Sequence, residues 1–296
     1  MVVSRALITI VSIAVIASLL AVVINLPSLT PYSPFNNGPT GYLELVKMIN
    51  AQAIDVVNDL RGLNGKNVVL IIPLVRELSN ETYDSLKKLV SMGSTLIILD
   101  EEGYSNDLLK YLGINAGVAN YTVLDEVLKF NDRFHLVIRV LVQGSTNTYI
   151  DVVTYRPSYI IVGSGSMGGI VGSTSNYAYA DLDGNEYYSI GEEMKSYIVI
   201  HSWNVSRGKV VLITDLDLWS NDLIGKEGNA KLLKYLTNSG RVFLLTSGLK
   251  LEFIDEVKYL FMRFRLSRYY GSELLPIIGF LILMAVLVVV RYAEEG

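Results

Sequence analysis

Three kinds of hydrophobic pattern follow one another along the chain. Ala6 to Leu26 (ALITIVSIAVIASLLAVVINL) is apolar and uncharged with no period, and at about 1.5 Å per helical residue it can span a hydrocarbon layer roughly 30 Å thick. Leu274 to Val290 (LLPIIGFLILMAVLVVV) is a second such run, closed by Arg291. Between them, short apolar runs alternate with amphipathic stretches. Asn67–Leu74 (NVVLIIPL) is a continuous, largely branched run of the kind buried in parallel sheets. The next stretch reads as a helix, capped by Ser79 or Asn80, with Leu86, Leu89 and Val90 on its inner face and its end at Gly93. Thr95–Leu99 is then a strand. The same reasoning predicts helices over 42–49, 108–112 and 228–236, and strands over 54–57, 209–214 and 241–245.

Strand, crossover helix and strand in one sheet imply right-handed parallel winding, so the expected fold class is α/β with a mostly parallel sheet. The middle third departs from this rhythm. His135–Val142, Thr148–Thr154, Ser158–Val162, Asn176–Ala180, Glu186–Ile190 and Ser196–Ser202 are strand-like with little helix between them, and Asp181–Asn185 carries a hairpin signal at Gly184. This predicts a β-rich insertion at about 135–202. Lys250–Arg268 places Phe253, Ile254, Val257, Leu260, Phe261 and Phe264 at helical spacing with basic residues between them.

The expected organisation is therefore an N-terminal membrane anchor (1–26), an α/β domain (27–249), an amphipathic juxtamembrane helix (250–273) and a C-terminal transmembrane helix (274–291). Lys258, Arg263, Arg265 and Arg268 would then face lipid headgroups. With Met1 and Arg5 before the first run and no Lys or Arg after it until Lys47, the positive-inside rule puts the central domain outside the cytoplasm. A cytoplasm-facing scaffold is the alternative.

Composition narrows the chemistry. The 296 residues are 51% hydrophobic and 18% charged, which excludes a disordered chain. The net charge of −4 offers no basic field for nucleic acid. The absence of Cys removes thiolate nucleophiles and cysteine-held metals, and only His135 and His201 supply imidazole. Few Gln and no Cys also suit a thermophile. Gly163, Gly165 and Gly168 satisfy Gly-x-Gly-x-x-Gly, but Gly169–Thr174 is a poor helix start, so a loop is expected there rather than a dinucleotide site. Asp181 and Asp183 begin but do not continue a calcium-loop pattern.

The first apolar run is followed by Tyr32-Ser33-Pro34-Phe35-Asn36-Asn37-Gly38-Pro39-Thr40-Gly41-Tyr42. Later come Gly208-Lys209-Val210-Val211-Leu212-Ile213-Thr214-Asp215, Trp219-Ser220-Asn221 and Asn229-Ala230. In these stretches the chain resembles an uncharacterised membrane-anchored domain family, found in archaea and bacteria, with a class I glutamine amidotransferase-like fold. The resemblance implies a flavodoxin-like sheet flanked by transmembrane helices. It also implies protein partners in a membrane complex, such as a MoxR-type ATPase or a transporter. Enzymes of that fold use Cys with His and Glu; here Asp100-Glu101-Glu102 follows the strand where a nucleophile would stand, so a glutaminase is excluded.

In open α/β sheets, ligands bind beyond the carboxyl ends of the strands. The residues expected there are Asp100, Glu101, Glu102, Asp215, Asp217, Trp219 and Asn221, with Asn36 and Asn37 before the first helix. They suit a cation or a polar, sugar-like ligand, and equally a solvated acidic rim. The function expected is a membrane-anchored, non-catalytic domain that binds a ligand or a protein partner. A hydrolase or metal-dependent enzyme using the acidic residues is the alternative. No cofactor and no metal-ligand set is read from the sequence.

Overall fold

In the computed structural model, residues 11–18, 21–22, 26–54, 63, 67–143, 147–163 and 169–264 are described. The chain divides into two compact units, Leu29–Lys250 and a second unit of Met1–Ser28 with Leu251–Gly296. The larger unit runs α1 (Leu43–Ile49), β1 (Gln52–Ile54), β2 (Val68–Pro73), α2 (Asn80–Ser91), β3 (Thr95–Leu99), α3 (Asn106–Tyr111), β4 (Ala116–Val118), β5 (Val123–Asp125), β6 (His135–Val142), β7 (Thr148–Tyr155), β8 (Ile160–Val162), β9 (Ile170–Ser173), β10 (Ala178–Ala180), β11 (Ile198–Val205), β12 (Gly208–Ile213), the 3-10 turn Asp217–Trp219, α4 (Asn229–Thr237) and β13 (Arg241–Leu245).

Among the described residues one sheet holds nine strands in the order β1-β13-β2-β3-β12-β11-β9-β6-β7. The pairs from β1 through β12 are parallel, and those from β12 through β7 are antiparallel. The parallel strands are the continuous apolar runs, and their side-chain alternation feeds two cores. Val69, Ile71, Ile97, Val211 and Ile213 pack with Leu45 of α1 and Leu232, Leu233 and Leu236 of α4. Leu70, Ile72, Leu96, Ile98, Val210 and Leu212 pack with Leu86 and Leu89 of α2 and Leu108 and Leu109 of α3. Each such side chain removed from water contributes roughly 1.5–3 kcal/mol. Ser79 caps α2 as expected, its hydroxyl accepting from the Thr82 amide.

The antiparallel strand β6 alternates instead. Leu136, Ile138, Val140 and Val142 of β6 join the first core, while His135, Val137, Arg139 and Leu141 face the other way and are partly or fully exposed. The ribbon β4–β8 covers β11 on that second face, where Ile160 and Trp203 share a core. Over β6, β7 and β9 the same face opens into a groove of about 390 Å³ lined by Leu128, Arg139, Leu141, Tyr149, Val171 and Ser173 among others. A second ribbon, β5–β10, adds Val123, Ala178 and Ala180 to the first core.

Two expectations are corrected. The sheet is not a mostly parallel, flavodoxin-like or amidotransferase-like sheet carrying a β-rich insertion. The strands of the middle third hydrogen-bond onto β12 and extend one large mixed sheet, because β11 pairs antiparallel with β12 over Ile200–Val205. The flanking transmembrane helices, and with them the cell-membrane, extracytoplasmic placement of the domain, are not supported: among the described residues no helix is long and apolar enough to cross a membrane. Of 6–26, only 11–18, 21–22 and 26 are described, and 274–291 lies outside the described residues.

Smaller differences have local causes. Glu186–Ile190 is not a strand, because its loop is tied internally by the Asp181 and Glu192 carboxylates. Ile170–Ser173, expected as loop, is strand β9, inserted between β6 and β11; residues 164–168 of the glycine motif lie outside the described residues. In the smaller unit, Phe253–Phe264 is a helix, α5. Its buried positions include Asp255 and Tyr259, while Phe253, read from the sequence as part of the apolar face, is exposed.

Candidate functional site

β3 and β12 lie side by side in parallel, with Leu99 opposite Ile213, so the residues following each strand meet at one end of the sheet. Asp100 is wholly buried and is consumed by its own loop. Its Oδ1 accepts from the amides of Glu102 (3.0 Å), Gly103 (2.9 Å) and Tyr104 (3.2 Å), and its Oδ2 from Ser105 (2.7 Å). This turn, with Gly103 at φ +89°, leads into α3 and holds Glu101 toward the end of β12, where its Oε2 accepts from the Leu216 amide at 3.4 Å.

Asp215 is also wholly buried. Its Oδ1 accepts from the Asp217 amide at 2.7 Å, and its Oδ2 from the Tyr155 amide at 2.9 Å. The second contact comes from β7, four places away from β12 in the strand order. The antiparallel half therefore curls until its edge strand returns to the end of β12, as strongly twisted sheets do; the register shift between Ile198 and Ile200 of β11 lies in this half. Asp217 opens the 3-10 turn, and its Oδ2 accepts from the Tyr32 hydroxyl at 3.4 Å. Carboxylate oxygens of Glu101, Asp215 and Asp217 lie within 4.8 Å of one another.

Three carboxylates out of water and this close cannot all be charged at low cost. Burial, then Asp217, lifts Glu101 to about 8 against the opposing Leu216 amide. Burial lifts Asp217 to about 6, the Tyr32 hydrogen bond acting the other way. Burial, followed by Asp217 and Glu101, pushes Asp215 well above the usual carboxylate range. Tyr32 is likewise raised, by burial and then by Asp217. At neutral pH the cluster holds protons, and a cation bound there would displace them. A protonated Glu101 beside a less basic Asp217 can also act as an acid–base pair.

Of the residues expected to form a site, Glu101, Asp215 and Asp217 converge. The others do not join them. Trp219 is a core residue whose Nε1 donates to the Asn229 carbonyl at 3.2 Å. Asn221 is a clip: its Nδ2 donates to the carbonyls of Asn36 (3.0 Å) and Gly38 (2.7 Å), and its Oδ1 accepts from the Glu44 amide (2.9 Å) at the start of α1. Asn36 is buried and closes its own loop through Thr30 and Gly38. Asn37 and Glu102 are exposed. Of the expected membrane-surface residues, Lys258 donates to the Leu26 carbonyl within the smaller unit and Arg263 belongs to α5. Arg265 and Arg268 lie outside the described residues.

Sequence reasoning did not assign Tyr32, Tyr42 or the Tyr155 amide to the site. Tyr32 sits at φ +59°, rare for an aromatic residue, with its amide bonded to the Thr40 carbonyl at 2.8 Å. Tyr42 is wholly buried beside it, ring centroids 5.4 Å apart, and donates to the Leu216 carbonyl. A tyrosine at either end of the glycine-rich Tyr32–Tyr42 stretch was the available signal. The histidines take other places. His135 pairs with Asp132 at 2.9 Å and stacks on Tyr155, and its field lowers Asp217 slightly. His201 stacks on Trp203, and burial makes it a weaker base. A second acidic group, Asp181, Asp183 and Glu192, accepts hydrogen bonds from the amides of its own loop.

The chain matches a family model described as a domain of unknown function (DUF4350) over residues 34–237. No curated protein matches it. Among solved structures it is similar to the mmIFT52 N-terminal domain, at 17% identity and TM-score 0.45 over 62% of this chain and 80% of that one. The β-galactosidase from Bacillus circulans sp. alkalophilus follows at 10% identity and TM-score 0.32, over 58% of this chain and 23% of that chain. That from the haloarchaeon Halorubrum lacusprofundi is matched at 12% identity and TM-score 0.27, over 58% and 22%. The chain thus spans less than a quarter of either galactosidase.

Proposed function

Since the chain belongs to the DUF4350 family, whose description names no activity, we propose its function from its own side chains: a non-catalytic binding domain whose site, made by Glu101, Asp215 and Asp217, takes a divalent cation. The observation that carries this is the convergence of three carboxylates within 4.8 Å at the end of two parallel strands, largely out of water. Hard cations prefer such all-oxygen donor sets. A cation would also offset the burial that, with the Asp217 charge, now holds a proton on Glu101. The stretches Tyr32–Tyr42 and Gly208–Asp215 supply Tyr32, Tyr42 and Asp215 to this site. The binding-only reading is supported by the chemical inventory: no Cys exists in the chain, and His201 is buried against Trp203.

Titration calorimetry of the full chain with Mn²⁺ or Ca²⁺ at pH 6 and pH 8 tests this. Because binding must expel protons, affinity rises with pH, and binding heats differ between buffers of different ionisation enthalpy. Asp217→Asn removes the response. No binding heat and no shift in melting temperature at either pH would sink the cation reading. A second reading, an acid–base hydrolase, is favoured by the separation of Glu101 (about 8) from Asp217 (about 6). Its mark is glycoside or ester hydrolysis that is lost in Glu101→Gln.

A further inference from the structure

Resting on that site, we propose that Asn229, outside the carboxylate cluster, is its positioning residue. Asn229 is wholly buried at the start of α4. Its Oδ1 accepts from the Val153 amide at 2.8 Å, and its Nδ2 donates to the carbonyls of Val153 (2.8 Å), Leu218 (2.9 Å) and Leu223 (2.9 Å). The reciprocal pair with Val153 reproduces what a neighbouring strand would offer, so one side-chain amide occupies part of the outer edge of β7. The adjacent Gly228 continues the pairing, its amide donating to the Asp151 carbonyl at 2.9 Å. A Cβ at Gly228 would lie 2.5 Å from that same oxygen, so only glycine allows this approach.

The two backbone segments joined by Asn229 are the two that hold the site. Two residues beyond Val153, the Tyr155 amide supports Asp215. One residue before Leu218, Asp217 offers its carboxylate to the cluster. Asn229 therefore sets the separation between the strand that anchors one ligand and the turn that carries another. Helix propensity does not explain an Asn here, since its side chain caps nothing in α4. The saturation of both its polar atoms by β7 and the turn does explain it.

The test compares Mn²⁺ binding by the full chain in wild type, Asn229→Asp, Asn229→Ala and Leu233→Ala. Asn229→Asp keeps the acceptor for Val153 but turns a carboxylate oxygen toward three carbonyls. Leu233→Ala removes a wholly buried core side chain from the same helix and reports general destabilisation. The expected result is a loss of Mn²⁺ affinity of tenfold or more, and a changed number of protons released between pH 6 and 8, in both Asn229 variants. Leu233→Ala is expected to lower the melting temperature and leave both readouts unchanged. A folded Asn229 variant with wild-type affinity and proton release overturns the inference while the site reading stands. A wild type that binds no Mn²⁺ removes the site reading and this inference with it. Should neither Asn229 variant fold, hydrogen exchange of the wild type decides. Val153 and Tyr155 amides that slow together on Mn²⁺ addition support the positioning role, and unchanged exchange overturns it.

Discussion

The two halves of the nine-stranded sheet solve the burial problem differently. In the parallel half every residue of β2 is buried, because α1 and α4 cover one face and α2 and α3 the other. In the antiparallel half β6 reads buried at every second residue, and its outer face is left to a groove and to cross-strand pairs such as Arg139 with Asp151, bonded at 2.9 and 3.1 Å. A parallel strand needs a crossover, and the crossover helix brings cover; an antiparallel strand needs only a turn and can stay bare on one side. The acidic cluster stands where the two arrangements meet, with β3 and β12 supplying its acids and the curled edge of β7 supplying a backbone donor.

The largest effect expected of this comparison is pH dependence arising at the seam. Glu101 and Asp217 bind protons more tightly folded than unfolded, so the chain loses stability as pH rises above the ordinary carboxylate range, through about 6 and on through about 8. Asp217 alone, raised to about 6, corresponds to on the order of 3 kcal/mol, and Glu101 adds in the same direction. Urea unfolding from pH 5 to 9 should show this decline, flattened in a Glu101→Gln, Asp217→Asn double variant. Stability that climbs across that range would contradict the assignment.

Core truncation comes next and separates the halves directly. Leu70→Ala in β2 should cost about 3 to 5 kcal/mol, while Leu141→Ala on the open face of β6 should cost under ~1. Equal losses in chemical denaturation would mean that the outer face of β6 is covered after all. Glycine substitutions follow. At Gly208 a Cβ would sit 2.3 Å from the Ser94 carbonyl and 2.5 Å from that of Val90, backbone that cannot move aside. At Gly172, in the antiparallel half, it would meet the Ile200 and Ile138 side chains at 3.0 and 3.2 Å. Gly208→Ala is expected to cost about 2 kcal/mol or more and Gly172→Ala about half as much, read as the difference in denaturation midpoints. The smallest effect is that of Arg139→Ala. Its pair is exposed and screened by water, so a loss near the limit of detection is expected, shrinking further in high salt.

Legibility followed the same division. Val68–Pro73, Thr95–Leu99, Gly208–Ile213 and Arg241–Leu245 lie within a residue or two of where unbroken apolar runs place them. β4 and β5, three residues each, carry too little pattern to read. Glu186–Ile190 has the residue types of a strand, but nearby carboxylates claim its amides. At the site, Glu101, Asp215 and Asp217 were readable because acids following parallel strands share a sheet end. Asp100, Asn36 and Asn221 carry the same residue chemistry but spend it on their own loops, and nothing in residue type tells a free carboxylate from one that is already satisfied.

What the amino-acid sequence determined by itself is local: which runs are buried on both faces, which alternate, that a helix is capped at Ser79 or Asn80 and stops at Gly93, and that no thiol chemistry is open to this protein. Only the tertiary structure decided that the middle strands extend the sheet through β12, that the sheet curls far enough to bring the Tyr155 amide to Asp215, and that one Asn closes the seam. The physical reason is range. Periodicity and capping act over a few residues, whereas strand pairing and carboxylate repulsion depend on distances that exist only once residues far apart in the chain have been brought together.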